Sequence, residues 1–194
     1  MRVGVLALQG DFREHLSALN SLSGVVAVPV KSSDEISHID ALVLPGGEST
    51  TIVKLARIFD IFETIKDQIN SGMPVYGSCA GLILLSDRIL DGTQDQETFG
   101  GLDITTRRNA FGRQVDSFEG EIDFKGLGKI SGVFIRAPWV EEVGPSVEVL
   151  ASVHNHPVAV RQGNLFVTSF HPELTADLSV HRFFIENICK VAKR

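Results

Sequence analysis

The chain has 194 residues, of which 43% are hydrophobic and 22% are charged, and its net charge at neutral pH is −6. That length suits one compact domain with a sizeable core, and the composition is typical of a globular protein. An acidic balance without a basic stripe argues against a nucleic-acid binder, and no hydrophobic run reaches transmembrane length.

The first half of the chain alternates hydrophobic runs with amphipathic segments. We predict four strands in it, over residues 3–8, 25–30, 41–44 and 74–76. Helical periodicity predicts helices after Asp11, through 52–59, through 62–69 and over 82–89. Strands that alternate with helices indicate a parallel sheet covered on both faces.

The second half has a different pattern. Strand signals dominate from about residue 103 to residue 170, with hydrophobic-polar alternation in 119–124 and 147–153. This alternation indicates an antiparallel portion, and an amphipathic helix is predicted over 180–192. We therefore expect a three-layer α/β fold in a single domain spanning 1–194, with a mostly parallel central sheet, flanking helices and an antiparallel extension.

The strongest local motif is G-S-C-A-G at residues 77–81, between a predicted strand and a hydrophobic helix. This is the context of a nucleophile elbow, in which small flanking residues relieve crowding around a strained turn. Cys79 would then lie at a helix N-terminus, whose dipole favours a thiolate. A buried structural cysteine is the alternative, and the motif alone favours catalysis only modestly.

A second motif is S-F-H-P-E-L at residues 169–174, directly after a hydrophobic strand. Sites of parallel α/β sheets form at the carboxyl ends of strands, which places His171 suitably. In an extended backbone His171 and Glu173 would point to one side, so that Glu173 could orient the imidazole. In isolation, a surface turn would be the better interpretation.

A third motif is P-G-G-E-S-T-T at residues 45–51, again just after a strand. It lacks the lysine of a phosphate-binding loop, but an oxyanion site needs only N–H donors. Gly47 and Ala80 are the candidates for those donors. A helix cap at Ser49 or Thr50 is the alternative, and both roles are compatible.

The remaining candidates carry weaker signals. His154 and His156 have no acidic or cysteine partner nearby in the sequence, so we predict no metal. His15 is expected to have a surface or packing role, and His181 has no supporting context. The opening strand is too short for the core of a signal peptide, and we expect the cytosol, where a thiol stays reduced.

Taken in order, the Gly-Gly loop, the cysteine elbow and the late His-x-Glu resemble class I glutamine amidotransferases. More specific segments are similar to the family of glutaminase subunits of pyridoxal 5′-phosphate synthases. These segments are L-P-G-G-E-S-T-T at 44–51, R-N-A-F-G-R-Q-V-D-S-F-E at 108–119 and G-V-F-I-R-A-P at 132–138. The similarity covers nearly the whole chain.

The resemblance implies that Cys79 is the nucleophile, His171 the base and Glu173 its orienter. It implies that Gln9 lies near the oxyanion region. The residues implied in binding glutamine are Gly47, Glu48, Ser49, Arg108, Ile135 and Arg136. Ser78 stands where threonine is more usual in the family, which affects none of the triad.

The implied partner is a (β/α)₈-barrel synthase subunit that uses ammonia, a pentose phosphate and a triose phosphate. We expect this partner to complete the oxyanion hole, and we expect the chain itself to need no bound cofactor. The alternatives are a glutaminase subunit of another biosynthetic enzyme, a stand-alone γ-glutamyl hydrolase or cysteine peptidase, and a non-catalytic binding module.

Overall fold

A computed structural model of the chain describes residues 1–92, 96–108, 110 and 117–190. Its strands form a seven-stranded sheet, a three-stranded sheet and a two-stranded sheet. In chain order they are β1 (Arg2–Leu6), β2 (Val26–Val30), β3 (Ala41–Leu44), β4 (Val75–Ser78), β5 (Ser86–Leu90), β6 (Leu102–Arg107), β7 (Ser117–Phe124), β8 (Gly128–Ile135), β9 (Trp139–Val143), β10 (Glu148–Val153), β11 (His156–Gln162) and β12 (Leu165–Thr168).

The large sheet has the order β10-β11-β12-β4-β3-β1-β2. Strands β12, β4, β3, β1 and β2 pair in parallel, whereas β10 and β11 extend the sheet antiparallel beyond β12. All residues of β3, β4 and β12 are buried. Their continuous hydrophobic runs reflect a sheet that is covered on both faces.

Helices cover those faces. They are α1 (Phe12–Asn20), α2 (Ser33–Ser37), α3 (Ser49–Ile58), α4 (Phe62–Asn70), α5 (Ala80–Leu85) and α6 (Ser179–Phe183), which continues as a π-helical turn over Phe184–Cys189. Val43 packs in a cluster with Leu19 of α1, whereas Leu42 and Leu44 pack in a second cluster with α3 and α4. Alternate residues of one strand thus support opposite layers. No helix of the described residues is long and apolar enough to cross a bilayer.

The two small sheets contribute to the two clusters: Phe124 and Phe134 of β7 and β8 lie in the cluster of Val43, whereas Leu102 and Val140 of β6 and β9 lie in the cluster of Leu42. Strand β6 pairs in parallel with β5 and antiparallel with β9, and β7 and β8 form an antiparallel hairpin. The backbone N–H of His171 donates to Val133 O of β8 at 2.8 Å. This bond joins the hairpin to the segment that follows β12.

The predicted α/β fold, with its parallel core and antiparallel extension, is confirmed. The helix predicted over 82–89 is wrong in its second half, because α5 ends at Leu85 and β5 begins at Ser86. The helix ends because Ser86 has an extended backbone (φ −70°, ψ 139°) and pairs with Leu102 of β6, while its hydroxyl bonds Leu82 O and Thr106 Oγ1. The last helix begins at Ser179, and its predicted end at 192 lies outside the described residues.

Candidate active site

Three predicted segments meet at one edge of the large sheet. Cys79 directly follows β4, the Gly46–Gly47 loop follows β3, and His171 follows β12. Because these strands are parallel neighbours, their carboxyl ends bring the three segments together. They border a cavity of about 360 Å³. Its lining residues are Gln9, Asp11, Gly47, Glu48, Ser49, Cys79, Ala80, Ile83, Arg108, Ile135, Arg136, Pro138 and His171.

The backbone of Cys79 is strained in the way a nucleophile elbow requires. Its φ and ψ are 49° and −96°, outside the regions that a non-glycine residue ordinarily adopts. A Cβ on Gly77 would lie 2.5 Å from the Gly81 backbone, and a Cβ on Gly81 would lie 2.3 Å from Leu44 O. Both flanking glycines are therefore needed for the strand and the helix to approach.

His171 and Glu173 are in direct contact. The Nδ1 atom of His171 lies 2.8 Å from Glu173 Oε1, and both side chains are buried. The backbone is not extended as the sequence suggested, because Pro172–Leu174 forms a 3₁₀ turn with His171 at its N-terminal end. The turn nevertheless brings the two side chains together, and the Ser78 hydroxyl donates to the same carboxylate at 3.2 and 3.3 Å.

The electrostatics of this pair suit a charged imidazole. Burial would lower the pKa of His171, but its contacts with the Cys79 and Glu173 side chains outweigh burial and raise it to about 10. Burial would raise the pKa of Glu173, but the neighbouring imidazoles lower it to about 2. At neutral pH, an imidazolium thus stands between the cysteine and an ionised carboxylate.

The loop after β3 is packed tightly against His171. A Cβ on Gly46 would lie 2.5 Å from His171 Cε1, so only glycine fits there. Gly46 O accepts a bond from the Asp11 N–H at 3.1 Å, and the Glu48 N–H donates to Gln9 Oε1 at 2.9 Å. The segment after β1 therefore holds the candidate oxyanion loop.

The predicted binding residues Glu48, Ser49 and Arg108 belong to one polar network. Arg108 donates to Glu48 Oε1 at 3.0 Å and to Gln96 Oε1 at 2.7 Å, and Gln96 donates to Ser49 Oγ at 2.9 Å. Glu48 is also the N-cap of α3, because its carboxylate accepts a hydrogen bond from the Thr50 N–H. The cap was predicted at Ser49 or Thr50 and lies at the residue before them. Most of the segment 109–116 lies outside the described residues.

Ile135 and Arg136 reach the cavity from the end of β8. Ile135 is 38% exposed, and Arg136 has a positive φ of 42°. The bond between His171 N–H and Val133 O sets the position of this strand end relative to the imidazole. All ten predicted site residues thus lie at or beside the cavity.

Sequence reasoning missed several residues of the site. Asp11 lines the cavity with a carboxylate 3.6 Å from His171 Nδ1, and burial raises the pKa of Asp11. His15, expected at the surface or in packing, is fully buried with Nε2 3.4 Å from Glu173 Oε2. The helical spacing of His15 and Leu19 could have indicated its burial, because it places both residues on one side of α1.

Asp11, His171 and Glu173 also offer ligand atoms within 4.8 Å of one another, as a metal site would. The imidazole nitrogen in this group is Nδ1, which already bonds Glu173. The two carboxylates therefore fit a role in holding His171. The expectation of no metal stays a prediction.

Comparisons with known proteins identify the family of the chain. A sequence model of the SNO glutamine amidotransferase family matches residues 5–190. The chain is 61% identical over 190 residues to a Nocardioides protein named pyridoxal 5′-phosphate synthase subunit PdxT, covering 95% of this chain and 94% of that protein. A protein of the same name from Acidothermus cellulolyticus is 57% identical over 199 residues, covering 99% and 96%.

Solved structures match as well. A crystal structure described as a glutamine amidotransferase has a TM-score of 0.90 and 47% identity, covering 99% of both chains. A putative GMP synthase subunit from Thermoplasma acidophilum has a TM-score of 0.68 at 17% identity, covering 100% of this chain and 96% of that one. This second likeness shows the fold alone.

Proposed function

The chain belongs to the SNO glutamine amidotransferase family, and from that premise we propose that it is the glutaminase subunit of a pyridoxal 5′-phosphate synthase, with Cys79, His171 and Glu173 as its triad. It releases ammonia from L-glutamine and supplies it to a synthase subunit. The observation that carries the proposal is the strained Cys79 beside a buried His171–Glu173 pair.

The first half of the reaction uses the ion pair. The Cys79 thiolate attacks the side-chain carboxamide carbon of glutamine, and the backbone N–H groups of Ala80 and Gly47 receive the developing oxyanion. One such donor is worth roughly 3 kcal/mol in an established oxyanion hole. The His171 imidazolium then gives its proton to the nitrogen, and the C–N bond breaks to release ammonia and leave a glutamyl thioester.

The second half reverses the role of His171. A thioester sulfur carries no charge, so the contact that favoured the imidazolium is lost once Cys79 is acylated. The neutral imidazole then takes a proton from water, and the resulting hydroxide hydrolyses the thioester to glutamate. Glu173 remains ionised through both halves and holds Nδ1 of the ring.

The cavity suits a free amino acid. Its volume of about 360 Å³ lies near the lower end for small-molecule sites. We assign the glutamine backbone to the network of Glu48, Ser49 and Arg108, with Ile135 and Arg136 closing the opposite wall. A stand-alone γ-glutamyl hydrolase or peptidase would need room for a longer chain, which this volume does not favour.

The ammonia must be consumed close to where it forms, because in bulk water it becomes protonated and loses its nucleophilicity. We propose a (β/α)₈-barrel synthase as the partner that consumes it. We also propose that docking reorients the Gly46–Gly47 peptide, whose carbonyl is bonded to the Asp11 N–H. The whole chain, 1–194, acts as one catalytic domain, and its thiol requires a reducing compartment such as the cytosol.

The test is glutamate release by the assembled complex with wild type and Cys79→Ala. We expect Cys79→Ala to lose at least 10³-fold in kcat, because no other group forms the thioester. The partner's activity with added ammonia should be unchanged, which serves as the control for assembly. Full glutaminase activity in Cys79→Ala would refute the proposal.

A further inference from the structure

Two histidines lie behind the triad, on the side away from the cavity. His15 belongs to α1 and His181 to α6, and neither has any exposed surface. Nδ1 of His15 lies 2.9 Å from Nε2 of His181. Burying two imidazoles is unfavourable unless their polar atoms are used, so the pair needs a physical explanation.

Glu173 connects this pair to the reaction. Its Oε1 atom faces His171 Nδ1 at 2.8 Å, and its Oε2 atom faces His15 Nε2 at 3.4 Å. The second distance is longer than a normal hydrogen bond, but His15 Nε2 has no hydrogen-bond partner among the described residues. No acceptor bonds this atom in that part of the chain, so an N–H there would have the Glu173 carboxylate as its nearest charged neighbour.

Burial keeps the two imidazoles neutral and outweighs the attraction of the neighbouring carboxylates. Burial lowers the pKa of His15 and lowers that of His181 to about 3. The ring of Tyr76 lies edge-on to both imidazoles, and burial raises the pKa of its hydroxyl well above its usual value. The charged or titratable groups that act on the pair are Asp11, Glu14, His171 and Glu173.

Neutral imidazoles carry one N–H each, and only one arrangement fits the charges. With the proton of His15 on Nε2, an N–H faces Glu173, and Nδ1 accepts from the Nε2–H of His181. The opposite arrangement would set the His15 lone pair against a carboxylate oxygen. It would also bury an N–H at His181 Nδ1, which has no partner among the described residues.

We propose that His15 is a positioning residue of the glutaminase reaction, which holds Glu173 by its second carboxylate oxygen. His181 fixes the tautomer of His15. This inference rests on the proposed triad. No proton moves along the pair. Its effect is to keep Glu173 oriented and ionised, so that Glu173 stabilises the His171 imidazolium.

A purely structural tie between α1 and α6 is the rival explanation, and kinetics separate the two. His15→Met removes the N–H at similar volume, whereas His15→Gln keeps an amide donor near the Nε2 position. In the assembled complex, we expect His15→Met to lower kcat about tenfold with KM unchanged, because one polar contact of the Glu173 carboxylate is lost. We expect the alkaline limb of its pH–rate profile to move to lower pH, and His15→Gln to recover most of both losses.

Leu19→Ala is the matched control, since Leu19 is equally buried on the same helix and lies outside the triad contacts. It should lower the melting temperature and leave the pH profile unchanged. If His15→Met behaves like Leu19→Ala in kcat and pH profile, the positioning role is refuted, while an inactive Cys79→Ala would still support the triad. Activity in Cys79→Ala would instead remove the triad itself.

A measurement on the wild type covers the case in which His15→Met does not fold. Long-range ¹H–¹⁵N spectra of histidine-labelled protein distinguish the two tautomers of a neutral imidazole. We expect His15 and His181 both to carry their proton on Nε2. A proton on His15 Nδ1 would overturn the proposal.

Discussion

The two sides of Glu173 differ in hydration and in function. On the cavity side, His171 and Cys79 border a space of about 360 Å³, which is the proposed glutamine site. On the other side, His15 and His181 are sealed from solvent beneath α1 and α6. The first side carries a charged imidazole, with the pKa of His171 raised to about 10, and the second carries imidazoles whose pKa burial lowers.

The difference shows how the same side chain can take opposite charge states within one site. His171 contacts a thiol and a carboxylate, both of which stabilise its cation. His15 faces the other oxygen of that carboxylate at 3.4 Å, and complete burial outweighs this attraction. Glu173 therefore holds a charged donor on one oxygen and a neutral donor on the other.

The largest expected effect comes from removing the charge that both sides share. Glu173→Gln should lower kcat by roughly 10³- to 10⁴-fold, because a neutral amide neither stabilises the imidazolium nor enforces its tautomer. The pKa of His171 would lose a raising contribution, so the alkaline limb of the pH–rate profile should move to lower pH. Steady-state rates across pH would check this, and an unchanged alkaline limb would count against the pairing.

A smaller effect is expected on the cavity side, from the network that holds the substrate loop. Arg108→Ala removes the bonds to Glu48 and Gln96, so KM for glutamine should rise about tenfold with a smaller change in kcat. Arg108→Lys should recover part of the loss, because a lysine reproduces the charge but not both bonds. A fall in kcat with KM unchanged would mean that Arg108 acts on the chemistry instead.

The last expected effect is on acid stability and not on the reaction rate, and it comes from the sealed side. The pKa of His181 falls on folding from 6.5 to about 3, so its stabilising contribution is complete above pH 6.5 and is lost as pH falls toward 3. One such site changes stability by about 1.4 kcal/mol per pH unit in that window.

His181→Leu should therefore flatten the dependence of melting temperature on pH between 6.5 and 4. The control is His38→Gln, which alters an exposed histidine of the α2 C-terminus and should retain the wild-type slope. An equally steep slope in His181→Leu would show that His181 is not held neutral by the fold.

Much of the fold could be predicted from the sequence, because local patterns determined it. The uninterrupted hydrophobic run at Ala41–Leu44 predicted a strand buried on both faces, and the strand has those bounds. The segment after Leu85 was predicted as a continued helix, since Ile89 kept the helical spacing. There the pairing of β5 with β6 overrode the local preference for a helix. A short stretch of sequence does not show which other strand it will pair with.

Motif chemistry predicted that Cys79, His171 and Glu173 would share one site, and the structure brings these three residues together, while their catalytic roles stay a prediction. The site was not predictable at His15 and His181, which lie far apart in the chain and meet only when α1 packs against α6. Ser78 lies between these two cases, because it belongs to the cysteine motif but acts by position. Its hydroxyl donates to Glu173, and a threonine hydroxyl could make the same bond. Sequence motifs identify reacting groups, whereas the groups that position them depend on packing.

The most direct test of the account is to locate the covalent intermediate. The wild-type complex would be incubated with a diazoketone analogue of glutamine, digested and examined by mass spectrometry. The chain has two cysteines, Cys79 and the buried Cys189. We expect one adduct, on the peptide containing Cys79, and slower formation of it in Glu173→Gln. Labelling at Cys189, or complete inactivation without a Cys79 adduct, would contradict the assignment of Cys79 as the nucleophile.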